Sequence, residues 1–176
     1  MRIAVDLTFD EQGAVSLLQW LARWNERIFR SRPELPLLYD AGIVYRRETV
    51  EVWSDAVGVL TQGHEDCDAL AAYRAGELRA HGWRAMRPGD GGYPLARVLQ
   101  PRSIDADVIL QTRVKPGTIG TYHCVVRYVL HGAPPSRLPA TFTDDPSARL
   151  GMRGTIDPLI LTRWKASGVS PAFDPA

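Results

Sequence analysis

The hydrophobic pattern of this chain changes its period once, near Gly82, and that change constrains the fold more than any other feature. Before Gly82, a helically spaced apolar stripe from Leu17 to Ile28 predicts a helix over about residues 10–30. A second, alanine-rich helix is predicted from Asp66 to His81, with Gly82 as its C-terminal cap. After Gly82 the period is two, and Gly- and Pro-rich turns separate the strand candidates 83–86, 95–99, 106–114, 121–131 and 138–143. Helices followed by an antiparallel sheet predict an α+β fold.

The predicted helices carry expectations about packing. Trp20 and Trp24 belong to the first helix, where large aromatic side chains are expected in the core. The small residues of the second helix predict a close approach to a neighbouring element, for which we expect the sheet. Between the helices, residues 36–50 are expected to lie extended along the surface, and residues 52–60 to form a short helix or turn.

Composition and charge argue against several classes of function. A formal net charge of +1, without a basic run interleaved with aromatic residues, gives no reason to expect a nucleic-acid partner. No stretch approaches the roughly 20 apolar residues of a membrane span, and Asp6 interrupts the N-terminal segment where a secretory signal would need an apolar core. Two cysteines, Cys67 and Cys124, are too few for a disulfide framework, so we expect free thiols in a reducing compartment.

A cysteine is predicted in the first turn of the second helix, at the end of the stretch Gly63-His64-Glu65-Asp66-Cys67. Backbone N–H groups without helical partners and the positive end of the helix dipole favour a thiolate there, and they can also stabilise an oxyanion. The carboxylates of Asp66 and Asp68 oppose this effect, although we expect both to turn away and cap the helix. Cys67 is therefore the candidate nucleophile, and it needs a base.

His123 is the candidate base, because it lies on the predicted strand 121–131. Successive side chains of a strand point to opposite faces, so His123 shares a face with Val125, and Cys124 points to the other face. We therefore interpret Cys124 as a buried core thiol that does not face the same site as His123.

A base of this kind is usually oriented by a third group. If strands 121–131 and 138–143 form a hairpin, Asp145 at the end of the second can lie near His123, with Asp144 as the alternative acid and Asp157 as a weaker one. Gln62, a few residues before the nucleophile, is a candidate side-chain donor to the oxyanion hole.

A zinc site is the alternative interpretation of these residues. His64 and Cys67 have ligand-like spacing and could join His123 and Cys124 around one ion. In that arrangement His123 and Cys124, which are neighbours on one strand, would have to bind the ion from opposite faces of the strand. We therefore predict no metal and no cofactor.

Several of these segments together resemble transglutaminase-like (papain-type) cysteine proteins. That family has a Gly-x-Gly-Asp-Cys segment opening a helix that ends Leu-Arg-Ala-x-Gly, which residues 63–68 and 78–82 resemble. Its histidine starts a strand, and its aspartate often stands in an Asp-Pro-Ser/Thr step such as Asp145-Pro146-Ser147. Residues 39–48 and 145–152 look like the small versions encoded by bacteriophages. Glu65 stands where the family commonly has glycine, so it would crowd Cys67 or contact the substrate.

The resemblance implies one transglutaminase-like domain over residues 1–176, with a papain-like core at about 36–152, an N-terminal helical extension (1–35) and a C-terminal tail (153–176). It also implies acyl transfer from an amide by Cys67, His123 and Asp145, as a peptidase, amidase or transglutaminase with a protein or peptide substrate. The alternative is a structural or assembly component of a phage particle that uses the fold as a binding module and contacts other virion proteins. The expected location is the cytoplasm of a bacterial host or the virion, without a signal peptide.

Overall fold

The structure is a computed structural model that describes residues 11–47, 52–101, 103–113, 121–131 and 141–152. Its α-helices are α1 (Glu11–Ser31), α2 (Ala56–Gln62), α3 (Cys67–His81), α4 (Tyr93–Leu99) and α5 (Pro146–Arg149). Its strands are β1 (Val44–Tyr45), β2 (His64–Glu65), β3 (Ile104–Arg113), β4 (Thr121–Leu130) and β5 (Thr141–Asp144). The predicted C-terminal tail, including Asp157, lies outside the described residues.

The main sheet is antiparallel and has the order β3-β4-β5, which agrees with the predicted α+β class. Cys124 of β4 pairs with Leu110 of β3, and Val126 pairs with Asp144 of β5. Residues that pair directly share a face of the sheet. The face that carries Cys124 and Val126 belongs to the core cluster that also contains alanines of α3. Helix α3 therefore covers this face, as the α+β prediction requires.

Helix α1 confirms the prediction over residues 10–30 but buries a different stripe. The buried positions follow helical spacing and are Leu18, Leu21, Ala22, Asn25 and Phe29. Trp20 and Trp24 are 61% and 41% exposed, with their rings stacked 6.0 Å apart, so their predicted place in the core is wrong. The buried side of α1 includes Asn25 instead, whose Oδ1 accepts the Ala56 backbone N–H at 2.8 Å.

The small residues of α3 pack against two neighbouring elements, whereas we expected only the sheet. Ala71, Ala72 and Ala75 belong to the core cluster beside the sheet, as expected. Gly76 instead meets α1, where an added Cβ would lie 2.6 Å from the Asn25 Cβ and 2.9 Å from the Glu26 backbone nitrogen. The backbones of α1 and α3 therefore approach closely at a residue that has no side chain.

Two predicted strands are wrong. Residues 83–86 fall mainly in a 3₁₀ turn, Gly82–Ala85, and residues 95–99 belong to α4. Both segments are short, and a short apolar run does not distinguish a strand from a helix by its period alone. Pro94 lies in the first turn of α4, where a missing N–H leaves no helical hydrogen bond unmade. The remaining strand candidates are confirmed as β3, β4 and β5 with shifted ends.

None of the helices in the described ranges combines the length and the apolar character that a membrane crossing requires.

Candidate active site

Cys67 is the first residue of α3, and the short chain before it is held in place by β1. Gly63 ends α2 in a left-handed conformation, with φ of 72°, which favours glycine. The next two residues form β2, which pairs with β1 in parallel, and the Arg46 N–H donates to the Glu65 carbonyl at 2.8 Å. The start of α3 is thus fixed by backbone hydrogen bonds on the N-terminal side of the cysteine.

The residues around Cys67 do not all take the places expected for them. Asp66 is the N-cap of α3, but its side chain makes no capping hydrogen bond, so that part of the prediction is wrong. Asp68 accepts the Ala69 N–H at 2.5 Å. Glu65 is fully buried and accepts from Gln62, so it turns into the protein rather than toward a substrate.

Gln62 lies just before this stretch, but its amide is already engaged. The Gln62 Nε2 donates to the Ser54 Oγ at 2.8 Å and to the Glu65 Oε1 at 3.0 Å. A side-chain amide nitrogen carries two hydrogens. This arrangement therefore leaves no Gln62 N–H for an oxyanion, in contrast to the predicted donor role.

His123 lies near the start of β4 and is 5% exposed. Its Nε2 contacts the Asp145 Oδ2 at 2.7 Å. The other oxygen of this carboxylate, Oδ1, accepts the Ala148 N–H at 3.0 Å and caps α5. Asp145 is therefore held by the helix that it caps while it orients the imidazole ring. The structure brings together the predicted base and the first choice of acid.

The ring of His123 also interacts with the Cys67 thiol, and this interaction raises the pKa of the histidine. Because Nε2 is taken by Asp145, Nδ1 is the ring nitrogen available to the sulfur. The three predicted residues thus stand in the order thiol, imidazole and carboxylate. This order lets the histidine exchange a proton with the sulfur while the carboxylate stabilises the charged ring.

Cys124 takes a place that the strand alternation did not predict. It is buried in the core, as expected, but its thiol also interacts with Cys67 and lowers the pKa of that residue. The Cys124 backbone N–H also lowers the pKa of Cys67. Backbone N–H groups point sideways from a strand, so this interaction indicates a sulfur near the edge of β4.

The position at which β5 ends explains why this edge of β4 is open to Cys67. The last pair between β4 and β5 joins Val126 to Asp144, so residues 123–125 of β4 lie beyond it. A sulfur beside this edge is within reach of side chains from both faces of the strand. Cys67 can therefore contact both His123 and Cys124, although these neighbours point in opposite directions.

The contacts of the site change the pKa of both Cys67 and His123. The hydrogen bonds from Cys124 and His123 lower the pKa of Cys67 to about 5, against the opposing effects of burial and of Asp66. Burial lowers the pKa of His123, but its hydrogen bonds with Asp145 and Cys67 outweigh burial and raise it to about 9. Between these values a thiolate stands beside an imidazolium, which is the reactive state of a cysteine nucleophile.

Asp144, the alternative acid, belongs to a different group of residues. Its Oδ2 accepts from the Arg74 Nε at 2.7 Å and from the Tyr39 hydroxyl at 2.8 Å. Arg74 is completely buried on α3 and also binds Glu77 and, at 2.6 Å, the Asp90 Oδ2. We call these five residues the Arg74 cluster. It anchors the end of β5, and Asp145 is the next residue along the chain.

Sequence reasoning missed the Arg74 cluster altogether. Its residues are far apart in the chain, and charged residues are usually exposed. The available signal was the position of Arg74 and Glu77 on the alanine-rich helix, whose small neighbours indicate burial on several sides.

The residues that were considered for a zinc site do not form one. In the described part of the chain, no three or more His, Cys, Asp or Glu side chains are arranged to hold a metal ion. His64 instead contacts the Arg46 Nη1 through its Nε2, at 3.1 Å.

A cavity of about 330 Å³ lies at the opposite end of α3 from Cys67. Its lining includes His81, Trp83 and Arg84. A helix of 15 residues is roughly 22 Å long, so this cavity is remote from the thiol.

Comparisons of the chain with models of protein families, with curated proteins and with solved structures found no match.

Proposed function

We propose that this protein is a cysteine-dependent acyl-transfer enzyme of the transglutaminase-like type, acting on an amide bond of a protein or peptide. The observation that carries the proposal is the connected series of Cys67, His123 and Asp145, in which the His123 Nε2 lies 2.7 Å from the Asp145 Oδ2. The position of Cys67 at the start of α3 supports it further, because a helix start favours both a thiolate and a developing oxyanion.

The proposed reaction begins with the attack of the Cys67 thiolate on the amide carbonyl carbon. A carbon–sulfur bond forms, and the carbonyl oxygen gains a negative charge beside the first turn of α3. The His123 imidazolium then gives its proton to the nitrogen, and the carbon–nitrogen bond breaks to release the amine. Asp145 orients the ring and stabilises its positive charge during these steps.

The thioester on Cys67 then transfers its acyl group to a second nucleophile. Transfer to water makes the protein a peptidase or amidase, and transfer to an amine makes it a transglutaminase. In both cases neutral His123 removes a proton from the incoming group.

Acylation by a small activated ester tests the proposal without knowledge of the natural substrate. We expect p-nitrophenyl acetate to release p-nitrophenol in a burst and to leave one acetyl group on Cys67, detected by intact mass and peptide mapping. The Cys67→Ala variant should lose both signals. Added glycinamide then separates the two outcomes, since a transglutaminase forms N-acetylglycinamide and a hydrolase forms acetate.

Acetylation spread over other residues, or an equal burst from Cys67→Ala, would contradict the proposal. That result would favour the assembly role in a phage particle, for which the thiol needs only ordinary reactivity.

A further inference from the structure

The Cys67 and Cys124 side chains form a pair of contacting thiols in which only one member is accessible. Cys67 is partly exposed and packs against the core cluster that contains Cys124. Cys124 is 2% exposed and reaches the Cys67 sulfur from the interior. The acyl-transfer mechanism assigns no bond-forming step to Cys124. The position of the buried Cys124 thiol beside Cys67 is therefore not explained by acyl transfer.

We propose that Cys67 and Cys124 are a site of reversible oxidation, at which a peroxide converts the two thiols into a disulfide. The proposal stands on the packing of Cys67 against the core cluster that contains Cys124 and on the unequal exposure of the two residues, and the interaction of the two thiols supports it. A disulfide bond is about 2.05 Å long, so the sulfurs must move closer than in their hydrogen bond. Rotation of the partly exposed Cys67 side chain supplies this movement.

The oxidation takes place in two steps. The Cys67 thiolate first attacks one oxygen of the peroxide, so that a sulfur–oxygen bond forms and the oxygen–oxygen bond breaks. For hydrogen peroxide, the leaving hydroxide takes the proton of the His123 imidazolium and departs as water. The Cys124 sulfur then attacks the Cys67 sulfenic acid, the sulfur–oxygen bond breaks, and a second water leaves with the Cys124 proton. The two sulfurs lose two electrons in total, and the peroxide gains them.

The environments of the two thiols determine their roles. Cys67 is the accessible thiol, and its thiolate is favoured by the contacts described above. The hydrogen bond to Cys67, together with burial, raises the pKa of Cys124, so it stays protonated until the sulfenic acid forms beside it. Cys67 is therefore the peroxide-reactive thiol, and Cys124 is the resolving thiol.

The disulfide would remove the nucleophile of the proposed acyl transfer and protect it from irreversible oxidation. This regulatory consequence rests on the proposed function, whereas disulfide formation does not. A protein that forms the disulfide but is not acetylated by p-nitrophenyl acetate would support the oxidation site and contradict the enzyme.

The test treats the full chain with hydrogen peroxide and follows its products by mass spectrometry under non-reducing conditions. The chain has two cysteines, so each single variant leaves one thiol. In the wild-type protein we expect a peptide pair linked through Cys67 and Cys124, no free thiol, and full recovery of both thiols with dithiothreitol. In Cys124→Ser we expect a sulfenic acid on Cys67 that dimedone traps. In Cys67→Ser we expect Cys124 to stay reduced because it is buried.

Three results would overturn the proposal. One is a wild-type protein in which dimedone labels Cys67 to the same extent as in Cys124→Ser. The second is a disulfide that joins two chains only, and the third is preferential oxidation of Cys124 in folded Cys67→Ser. Circular dichroism confirms that each variant is folded before treatment, and Cys124→Ala replaces Cys124→Ser if the serine variant does not fold.

Discussion

Replacement of His123 by alanine should lower the rate of acetylation of Cys67 by about 10²–10⁴-fold, the usual contribution of a general base. The variant loses the proton acceptor and the positive charge beside the sulfur, while the hydrogen bonds from Cys124 to Cys67 remain. The burst of p-nitrophenol, with mass analysis of Cys67, measures the effect.

The chain offers a matched control for this substitution. His131 forms a second His–Asp pair, in which its Nε2 lies 2.6 Å from the Asp105 Oδ2, but both of these side chains are exposed. In the His131→Ala variant we expect p-nitrophenyl acetate to acetylate Cys67 at the wild-type rate. An equal loss in both histidine variants, or no loss in His123→Ala, would remove His123 from the mechanism.

Asp145→Asn separates the charge of the acid from its structural role. Asparagine caps a helix as well as aspartate does, so α5 should keep its start. The hydrogen bond with Asp145 raises the pKa of His123, and the variant loses the carboxylate charge. The acetylation rate should therefore fall between those of the wild type and His123→Ala, whereas Asp105→Asn should leave it unchanged.

Replacement of Arg74 by methionine should lower the free energy of unfolding by about 3–5 kcal/mol, the usual effect of removing one partner from a buried ion pair. Arg74 is fully buried and pairs with the carboxylates of Glu77, Asp90 and Asp144. Its loss removes the cation that all three share, while Arg149 still contacts Asp90 and Asp144. Burial already raises the pKa of Glu77 to about 7, even though Arg74 opposes the shift. The loss is large beside the roughly 5–15 kcal/mol that stabilises a typical domain.

Urea denaturation measures this effect, and an exposed arginine provides the control. Arg30 contacts the Glu26 Oε1 at 2.7 Å, but its side chain is 62% exposed, so Arg30→Met should change the stability by about 1 kcal/mol or less. A midpoint for Arg74→Met close to that of Arg30→Met would show that the Arg74 cluster does not hold the fold together.

The sequence predicted the structure best where the residues of a single helix or strand determine that element's bounds. The predicted helix from Asp66 to His81, capped by Gly82, agrees with α3 to within one residue, and β4 follows from a long period of two. These two elements carry Cys67 and His123, so the main partners of the site could be predicted. Asp145 was the first choice of acid and Asp144 the alternative, and the sheet register gives the physical reason, because it turns Asp144 toward Arg74 and Asp145 toward His123.

Tertiary contacts decided the features that the sequence did not predict. Asn25 lies on the buried side of α1, where its Oδ1 accepts the Ala56 backbone N–H, and Trp20 and Trp24 lie on the exposed side. The contact between Cys124 and Cys67 depends on where β5 stops, which strand alternation does not encode. The Arg74 cluster joins residues up to 105 positions apart in sequence, as between Tyr39 and Asp144, and no local pattern reveals such a distance.

A pH titration of thiolate absorbance in the ultraviolet tests most directly whether Cys67 and His123 form an ion pair. Cys67 has a lowered pKa and His123 a raised one, so the thiolate–imidazolium pair should form as the pH rises through about 5 and be lost as it rises through about 9. We expect the wild-type protein to gain one thiolate with a midpoint near 5, and His123→Ala to gain it at higher pH. A wild-type midpoint near 8.5, the ordinary value for a free cysteine, with no change in His123→Ala, would contradict the ion pair on which the proposed function depends.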